Sequence, residues 1–417
     1  MERYLPRQLL ELLKDIRGRA DARGERVYLV GGIVRDMLLG YANLDMDLVV
    51  EGDAVKLARE VAETGQARLL AHHRFGTAKL KHADLTVDLA TARKETYARP
   101  GALPAVTPGT LNDDLFRRDF TINAMAISLA SDDYGEPVDP HGGRSDLERA
   151  LIRILHPRSF TDDATRILRA VRYEQRLGFE LEAQTAELLS RDIPMLDTIS
   201  GDRIRHELEL ILGEERPEPA IRRLAGLGVL QRLAPALTGN GRLADMFVKA
   251  RTLTKGDQLT ALYFCLLIRD LGEGELEQLL GRLNAPAGPS RSMHDTLRVK
   301  NNLARLDNAA LKPSEVYYLL REYDPLAIQA NSIAAESSTV RAHLQLFLTR
   351  LRYVRTSLNG EDLKDLGFSA GPEMGEVLRT LHKARLDGEV VTRADEETLA
   401  LSLKTPDHDA DREPGRE

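Results

Sequence analysis

The sequence has no tryptophan, a single cysteine and only 5 % aromatic residues in 417. With so few large rings, its core must be built mostly from Leu, Val, Ile and Ala. One cysteine excludes an internal disulfide framework and a Cys-rich zinc module. Cys265 lies in the apolar run ALYFCLLI, where a buried core thiol is expected. No apolar run approaches the roughly 18 residues of a membrane span. The N-terminal stretch MERYLPRQLLELLKDIRGRA is charged throughout and lacks the apolar core of a signal peptide. A cytoplasmic protein without a membrane partner is expected. An excess of positive charge is also missing, since 58 Lys and Arg face 65 Asp and Glu, a net −7. Such acidity disfavours a nucleic-acid partner only on average, because a local basic groove survives it.

What is present changes character along the chain. Residues 5–20 read as an amphipathic helix, Val27–Val30 as a strand and Val34–Leu39 as a helix. Leu44–Val50 reads as a second strand, Ala54–Thr64 as a helix, and Thr77–Leu80 and Leu85–Leu89 as further strands. This mixture predicts an α/β or α+β unit of about 140 residues. After Pro140, Gly142 and Gly143, helical periodicity dominates to about residue 400. The tail TPDHDADREPGRE is almost free of apolar residues and is expected to be disordered.

The sharpest local feature is YLVGGIVRDMLLGYANLDMDLVV, residues 28–50. An apolar strand runs into Gly31-Gly32 and a helix begins at once. Glycines let a backbone approach a ligand closely, and a helix N-terminus favours phosphate. Arg35 adds a guanidinium that can grip a phosphate with two hydrogen bonds. Neither the Walker nor the dinucleotide spacing is present, and a tight strand–helix connection is the plain alternative. Asp45 and Asp47 favour the phosphate reading. At i and i+2 of a strand their carboxylates share a face, and like charges so close call for a cation. Two metal ions about 3.5–4 Å apart are what in-line phosphoryl chemistry uses. Asp88, in TVDLAT, is either a third carboxylate near the metals or a plain strand residue.

Gly31-Gly32-x-x-Arg35-Asp36 with Asp45-x-Asp47 resembles the nucleotidyltransferase signature of the DNA polymerase beta-like superfamily. More narrowly, the chain resembles the bacterial-type (class II) tRNA nucleotidyltransferase and poly(A) polymerase family. The resemblance continues through Arg117-Arg118-Asp119-Phe120-Thr121-Ile122-Asn123-Ala124, Asp139-Pro140-x-Gly142-Gly143 and Asp146-Leu147. It resumes at Asp162-Asp163-x-x-Arg166-x-x-Arg169-x-x-Arg172 and Gly201-Asp202-Arg203-Ile204, so that it covers about half the chain. It implies a palm-like α+β nucleotidyltransferase domain at 1–150 and an all-α remainder. That remainder divides into a neck at 151–240, a body and tail for tRNA at 241–400, and a disordered end at 401–417. It also implies a 3′-end transferase that uses ATP and CTP with two Mg²⁺ on Asp45 and Asp47. Gly32 and Arg35 are expected at the triphosphate, with Arg118, Asp163, Arg166, Arg169 and Arg172 around the nucleotide. The product is either CCA or its terminal A alone, with poly(A) addition to other RNA ends as the alternative.

The segment TDDATRILRAVRYEQRLGF is expected to form a helix opening near Thr161. Its Asp163, Arg166, Arg169 and Arg172 recur every third residue and wind along one polar edge. Cytosine and adenine both offer an exocyclic amino donor beside a ring-nitrogen acceptor, whereas uracil and guanine offer the reverse. A carboxylate only accepts and a guanidinium only donates, so Asp163 with Arg166 suits C and A. In the resembled family the matching Glu-Asp-x-x-Arg motif acts as a protein template, and Asp162 replaces its Glu here. An ordinary solvated face with i,i+3 ion pairs is the bland alternative.

Residues 93–113 hold Pro100, Gly101, Pro104, Pro108 and Gly109 without clear periodicity, which predicts a long loop. The resemblance implies that this loop marks A-addition. Gly360 to Pro372 reads as helix, glycine turn and helix, either offering N–H groups to a phosphate or simply ending a helix. His294-Asp295 and His408-Asp409 raise a metal phosphohydrolase, but neither has the further ligands such a site needs. A non-catalytic RNA-binding protein is disfavoured by the intact Asp45, Asp47, Arg35 and Arg118.

Overall fold

The computed structural model describes residues 5–63, 67–72, 76–82 and 85–404. They fall into two compact units, Met1–Pro235 and Ala236–Glu417. The expected disorder of the final residues concerns 405–417, and with His408 it lies outside the described residues. Residues 401 and 402 still belong to a helix, Arg393–Ser402.

The first unit opens with α1 (Arg7–Ala22), β1 (Arg26–Val30), α2 (Gly32–Leu39), β2 (Met46–Glu51) and α3 (Ala54–Ala62). β3 (Arg68–His72), β4 (Thr77–His82) and β5 (Leu85–Thr91) follow. A seven-stranded sheet runs β3-β4-β5-β2-β1-β8-β9, where β8 is Ala126–Ser128 and β9 is Pro137–Val138. β2 and β5 are parallel, with Asp47 opposite Asp88, and the other pairs are antiparallel.

Period-two alternation divides the sheet into two faces. Val27, Leu29, Leu48, Val50, Leu80, Val87 and Leu89 face α1 and α3, where Leu9, Ile16, Leu57 and Val61 complete one core. Tyr28, Val30 and Val49 point the other way, against Leu111 and Leu115 of α4 (Leu111–Phe116). Asp47, two residues before Val49, therefore emerges on the α4 side. β2 starts at Met46, not Leu44, because Asn43 Oδ1 accepts the Asp45 N–H and holds that residue in the preceding turn.

Between β5 and α4 the structure replaces the expected irregular loop with a ribbon. β6 (Arg93–Thr96) pairs antiparallel with β7 (Ala105–Pro108), leaving only 97–104 as its tip. After α5 (Gly143–Glu148), β10 (Leu151–Ile152) pairs with β11 (Glu180–Leu181) around two helices. These are α6 (Ser159–Asp162) and α7 (Thr165–Leu177), not one helix from Thr161. The chain breaks at Asp163, which is extended (φ −141°, ψ 99°) and whose Oδ1 accepts the N–H and hydroxyl of Thr165. α8 (Ala183–Asp192), a 3-10 turn at Ile193–Thr198 and α9 (Gly201–Leu212) pack beside them.

The second unit is helical among its described residues. One core gathers Val299, Leu320, Ile328, Leu344, Phe347 and Leu351; another joins Leu358, Leu363, Val377, Leu381 and Ala400. Cys265 is buried there and burial pushes its thiol up to about 11, which fits an inert core residue. The Gly367 and Phe368 N–H groups are taken by the carbonyls of Lys364 and Leu363. The glycine turn is thus a helix end and does not present those N–H groups to a phosphate.

Candidate active site

A cavity of about 1410 Å³ opens on the α4 side of the sheet. Its floor carries Asp45, Asp47 and Asp88, and one ligand oxygen from each lies within 4.8 Å of the others. No other His, Cys, Asp or Glu cluster of this kind occurs among the described residues, which leaves His294-Asp295 without a metal site. Burial, with Asp45 close by, raises the Asp47 carboxyl to about 6, against the opposing pull of Arg118. A cation between the three would remove that repulsion. Hard carboxylate oxygens suit a divalent ion of the Mg²⁺ kind, so the donor set fits.

Gly31 caps α2 with φ +78°, and a Cβ there would lie 2.6 Å from Nη1 of Arg118. The bare backbone is needed at Gly31; a Cβ on Gly32 would meet nothing closer than 3.6 Å. Arg118 is held by Asp114, a fully buried carboxylate that also binds Arg117 through its other oxygen. The buried Nε of Arg118 has no hydrogen-bond partner among the described residues, nor has that of Arg172. Both arginines line the cavity, and each leaves a donor unspent within the protein.

Arg35 is spent differently. It is 3 % exposed and donates to Asp36 and, at 2.7 Å, to Asn123 Oδ1. Asn123 donates in turn to Asp119, which accepts from Nε and Nη2 of Arg169 at 2.9 and 2.6 Å. Burial pushes the Asp119 carboxyl up, but Arg169 and Asn123 outweigh it and the group ends below its ordinary value. Arg169 and Arg172 both reach Glu207 of α9. The Tyr173 ring sits under three guanidiniums, 5.2 Å from Arg35, 5.6 Å from Arg169 and 5.0 Å from Arg172. The phosphate-type helix α2 and the arginine helix α7 are thereby joined through buried charge.

Asp163 and Arg166 both line the cavity but do not pair with each other. Asp163 takes Arg203 of α9 at 2.7 Å. Arg166 donates to Ser159 Oγ and to the Arg117 carbonyl, both at 2.6 Å. The ribbon supplies Tyr97 and Pro104 to the same wall. Tyr97 donates to Glu95, and burial together with that carboxylate pushes its phenol up. All of Gly32, Arg35, Asp45, Asp47, Arg118, Asp163, Arg166, Arg169 and Arg172 thus meet at one cavity. Sequence reasoning missed Lys79, Tyr97 and Glu207 there, and the buried Asp114 that holds Arg118. For Asp119, Asn123 and Arg203, the motifs containing them were the available signal.

Residues 27–153 match the poly(A) polymerase head domain, and residues 178–239 match a probable RNA and SrmB binding site of polymerase A. The A-adding tRNA nucleotidyltransferase of Halalkalibacterium halodurans is 35 % identical over 95 % of this chain and 92 % of its own length. That of Geobacter sulfurreducens is 37 % identical over 97 % of this chain, yet only 48 % of that protein is spanned, and for Aquifex aeolicus the share is 44 %. The chain therefore spans about half the length of those two relatives. A solved CCA-adding enzyme superposes with TM-score 0.82 at 31 % identity, covering 96 % of this chain and 97 % of that one. The Thermotoga maritima CCA-adding enzyme complexed with tRNA gives 0.76 at 31 % identity, with the same coverage. The chain belongs to the tRNA nucleotidyltransferase and poly(A) polymerase family.

Proposed function

We propose that this chain is a template-independent, cytoplasmic tRNA nucleotidyltransferase that extends the 3′ end with A, with or without the preceding CC. The observation that carries the reading is the acidic trio facing Arg118 and the Gly31 turn, with Asp163 and Arg166 in the same cavity. The RNA 3′-hydroxyl attacks the α-phosphate of the nucleotide and pyrophosphate leaves. Asp45 and Asp47, with Asp88 beside them, would hold Mg²⁺, which supplies charge neutralisation and phosphoryl polarisation when bound. Arg118 and the N-terminus of α2 take the triphosphate. Arg35 orients that helix against Asn123, while Asp163 and Arg166 face the Watson–Crick edge of the base.

Three of the curated relatives, 35 to 37 % identical over 86 to 97 % of this chain, are named A-adding, which favours terminal A addition. Solved relatives carrying ATP and CTP keep the full reaction in view. The test is a gel assay with labelled ATP or CTP on tRNA lacking CCA, tRNA ending in CC, and an unrelated RNA. Label from ATP on the CC-ending tRNA alone identifies an A-adding enzyme, and extension of every RNA identifies a poly(A) polymerase. Incorporation into none of them overturns the proposal.

A further inference from the structure

The acidic trio has a lysine built into it. On β4, Lys79 stands in register opposite Asp88 of β5, and Asp88 stands opposite Asp47 of β2. Asp47, Asp88 and Lys79 therefore form one row across three strands, on the face that carries the cavity. Lys79 Nζ lies 2.9 Å from Asp88 Oδ2 and is one of the residues lining that cavity. Asp45 and Asp47 also attract the ammonium, after the hydrogen bond to Asp88 that dominates. The pair is accessible, with side chains 47 % and 37 % exposed, so an ion from solution can reach Asp88.

We propose that Lys79 is the resident counter-ion of the trio and competes with a divalent cation for Asp88. Its ammonium occupies the carboxylate oxygen nearest β4 and must swing away before a metal can take that ligand. An exposed cross-strand ion pair contributes little to stability, so its cost to folding is small when it opens. Its effect on a second cation is larger, because two positive charges then meet a few ångströms apart. The outcome is a free protein that binds metal weakly on the Asp88 side. A triphosphate entering the cavity brings the negative charge that tips the balance toward the ion. This inference rests on the trio being the metal site of the proposed transferase.

The test is Mn²⁺ binding to nucleotide-free protein, followed by the electron paramagnetic resonance of the unbound ion. Lys79→Met is expected to bind Mn²⁺ about 30-fold more tightly or better, the effect of removing one unit charge at about 4 Å from a divalent ion under aqueous screening. Lys79→Arg keeps the charge and the carboxylate contact and is expected to stay within about twofold of wild type. In an Asp88→Asn background the gain from Lys79→Met should shrink to below about twofold, because the shared ligand is gone. Unchanged or weaker binding by Lys79→Met, or an undiminished gain in the Asp88→Asn background, overturns the proposal alone. Lack of Mn²⁺ binding by wild type and Lys79→Met alike overturns the metal reading and this inference with it. Thermal melts of each variant confirm that folded proteins are being compared.

Discussion

Arg169 grips one carboxylate oxygen of Asp119 with two of its nitrogens, at 2.9 and 2.6 Å, although 50 residues separate the two in the chain. The carboxylate is 8 % exposed and also accepts from Asn123, which is itself bonded to Arg35. One buried charge thus sets the distance between the helix that follows the Gly-Gly turn and the helix that carries the arginines. Breaking it leaves Arg169 without its main partner in a partly dry site. Asp119→Asn should cost about 3 kcal/mol of stability. It should also lower kcat/KM for ATP by about 10- to 100-fold through misplacement of both helices. Denaturant melts and steady-state rates check the two effects separately, and Asp119→Asn with wild-type rates would remove the linkage.

Asp47 gives a pH prediction whose sign runs against the usual carboxylate. Its pKa is raised in the folded protein, to about 6 from an ordinary value near 4, by burial and by Asp45. The folded state therefore holds the proton more tightly than the unfolded state does. Its contribution is fully present below pH 4 and is lost as pH rises through 6, by at most about 3 kcal/mol. Metal-free Asp47→Asn should accordingly melt higher than wild type at pH 7.5, lose that advantage at pH 4.5, and transfer no nucleotide at either. Adding Mg²⁺ should raise the Tm of wild type at pH 7.5 and leave Asp47→Asn nearly unchanged.

Gly101 makes the ribbon tip testable. Its N–H reaches the Thr161 carbonyl at 3.3 Å, and φ is +69°. A Cβ there would lie 2.3 to 2.7 Å from Oγ1, O and C of Thr198. Gly101→Val should therefore undock the tip at a local cost of about 1–2 kcal/mol in backbone strain alone. Tyr97 and Pro104 would leave the cavity wall with it. Chymotrypsin cleavage after Tyr97 should accelerate, and ATP incorporation should fall more than CTP incorporation. A parallel loss of both nucleotides would show that the ribbon is a general wall and not a selective one.

Much of this was legible beforehand wherever a signal was local. Apolar residues marked β1, β4 and β5, and Asp45 and Asp47 do meet in one cluster, although only Asp47 lies on β2. The helix break at Asp163 was not legible, because Thr165 holds the carboxylate by a side-chain contact that helical periodicity does not encode. β6 and β7 escaped notice because they are four residues each and flanked by Pro and Gly, which argue for a loop. Arg35 looked like a free phosphate ligand; its use by Asn123, 88 residues on, is a long-range fact. The same holds for Arg203 on Asp163 and Glu207 on Arg169 and Arg172, which only the packing of α9 against α7 creates.

Arg166 separates base reading from plain structure. Its guanidinium is 5 % exposed, and its hydrogen bonds to Ser159 Oγ and the Arg117 carbonyl fix its plane without using all five N–H donors. What remains can reach a ring nitrogen of cytosine or adenine, and the N–H at the same place in uracil or guanine would meet a second donor. Arg166→Ala should therefore lower kcat/KM for the correct nucleotide by about 10- to 150-fold, as for a lost charge-assisted hydrogen bond. It should also relax rejection of UTP and GTP, because the clashing donor has gone. Stability should fall as well, by about 1–3 kcal/mol, since Ser159 and the Arg117 carbonyl lose their partner. Arg166→Lys restores a charge but not the fork, and should recover stability before selectivity. A variant that loses stability while keeping the ratio of correct to incorrect nucleotides would make Arg166 a clamp on α6 and α4 alone. Rates for ATP, CTP, UTP and GTP on one tRNA, set beside the melts, decide between the two.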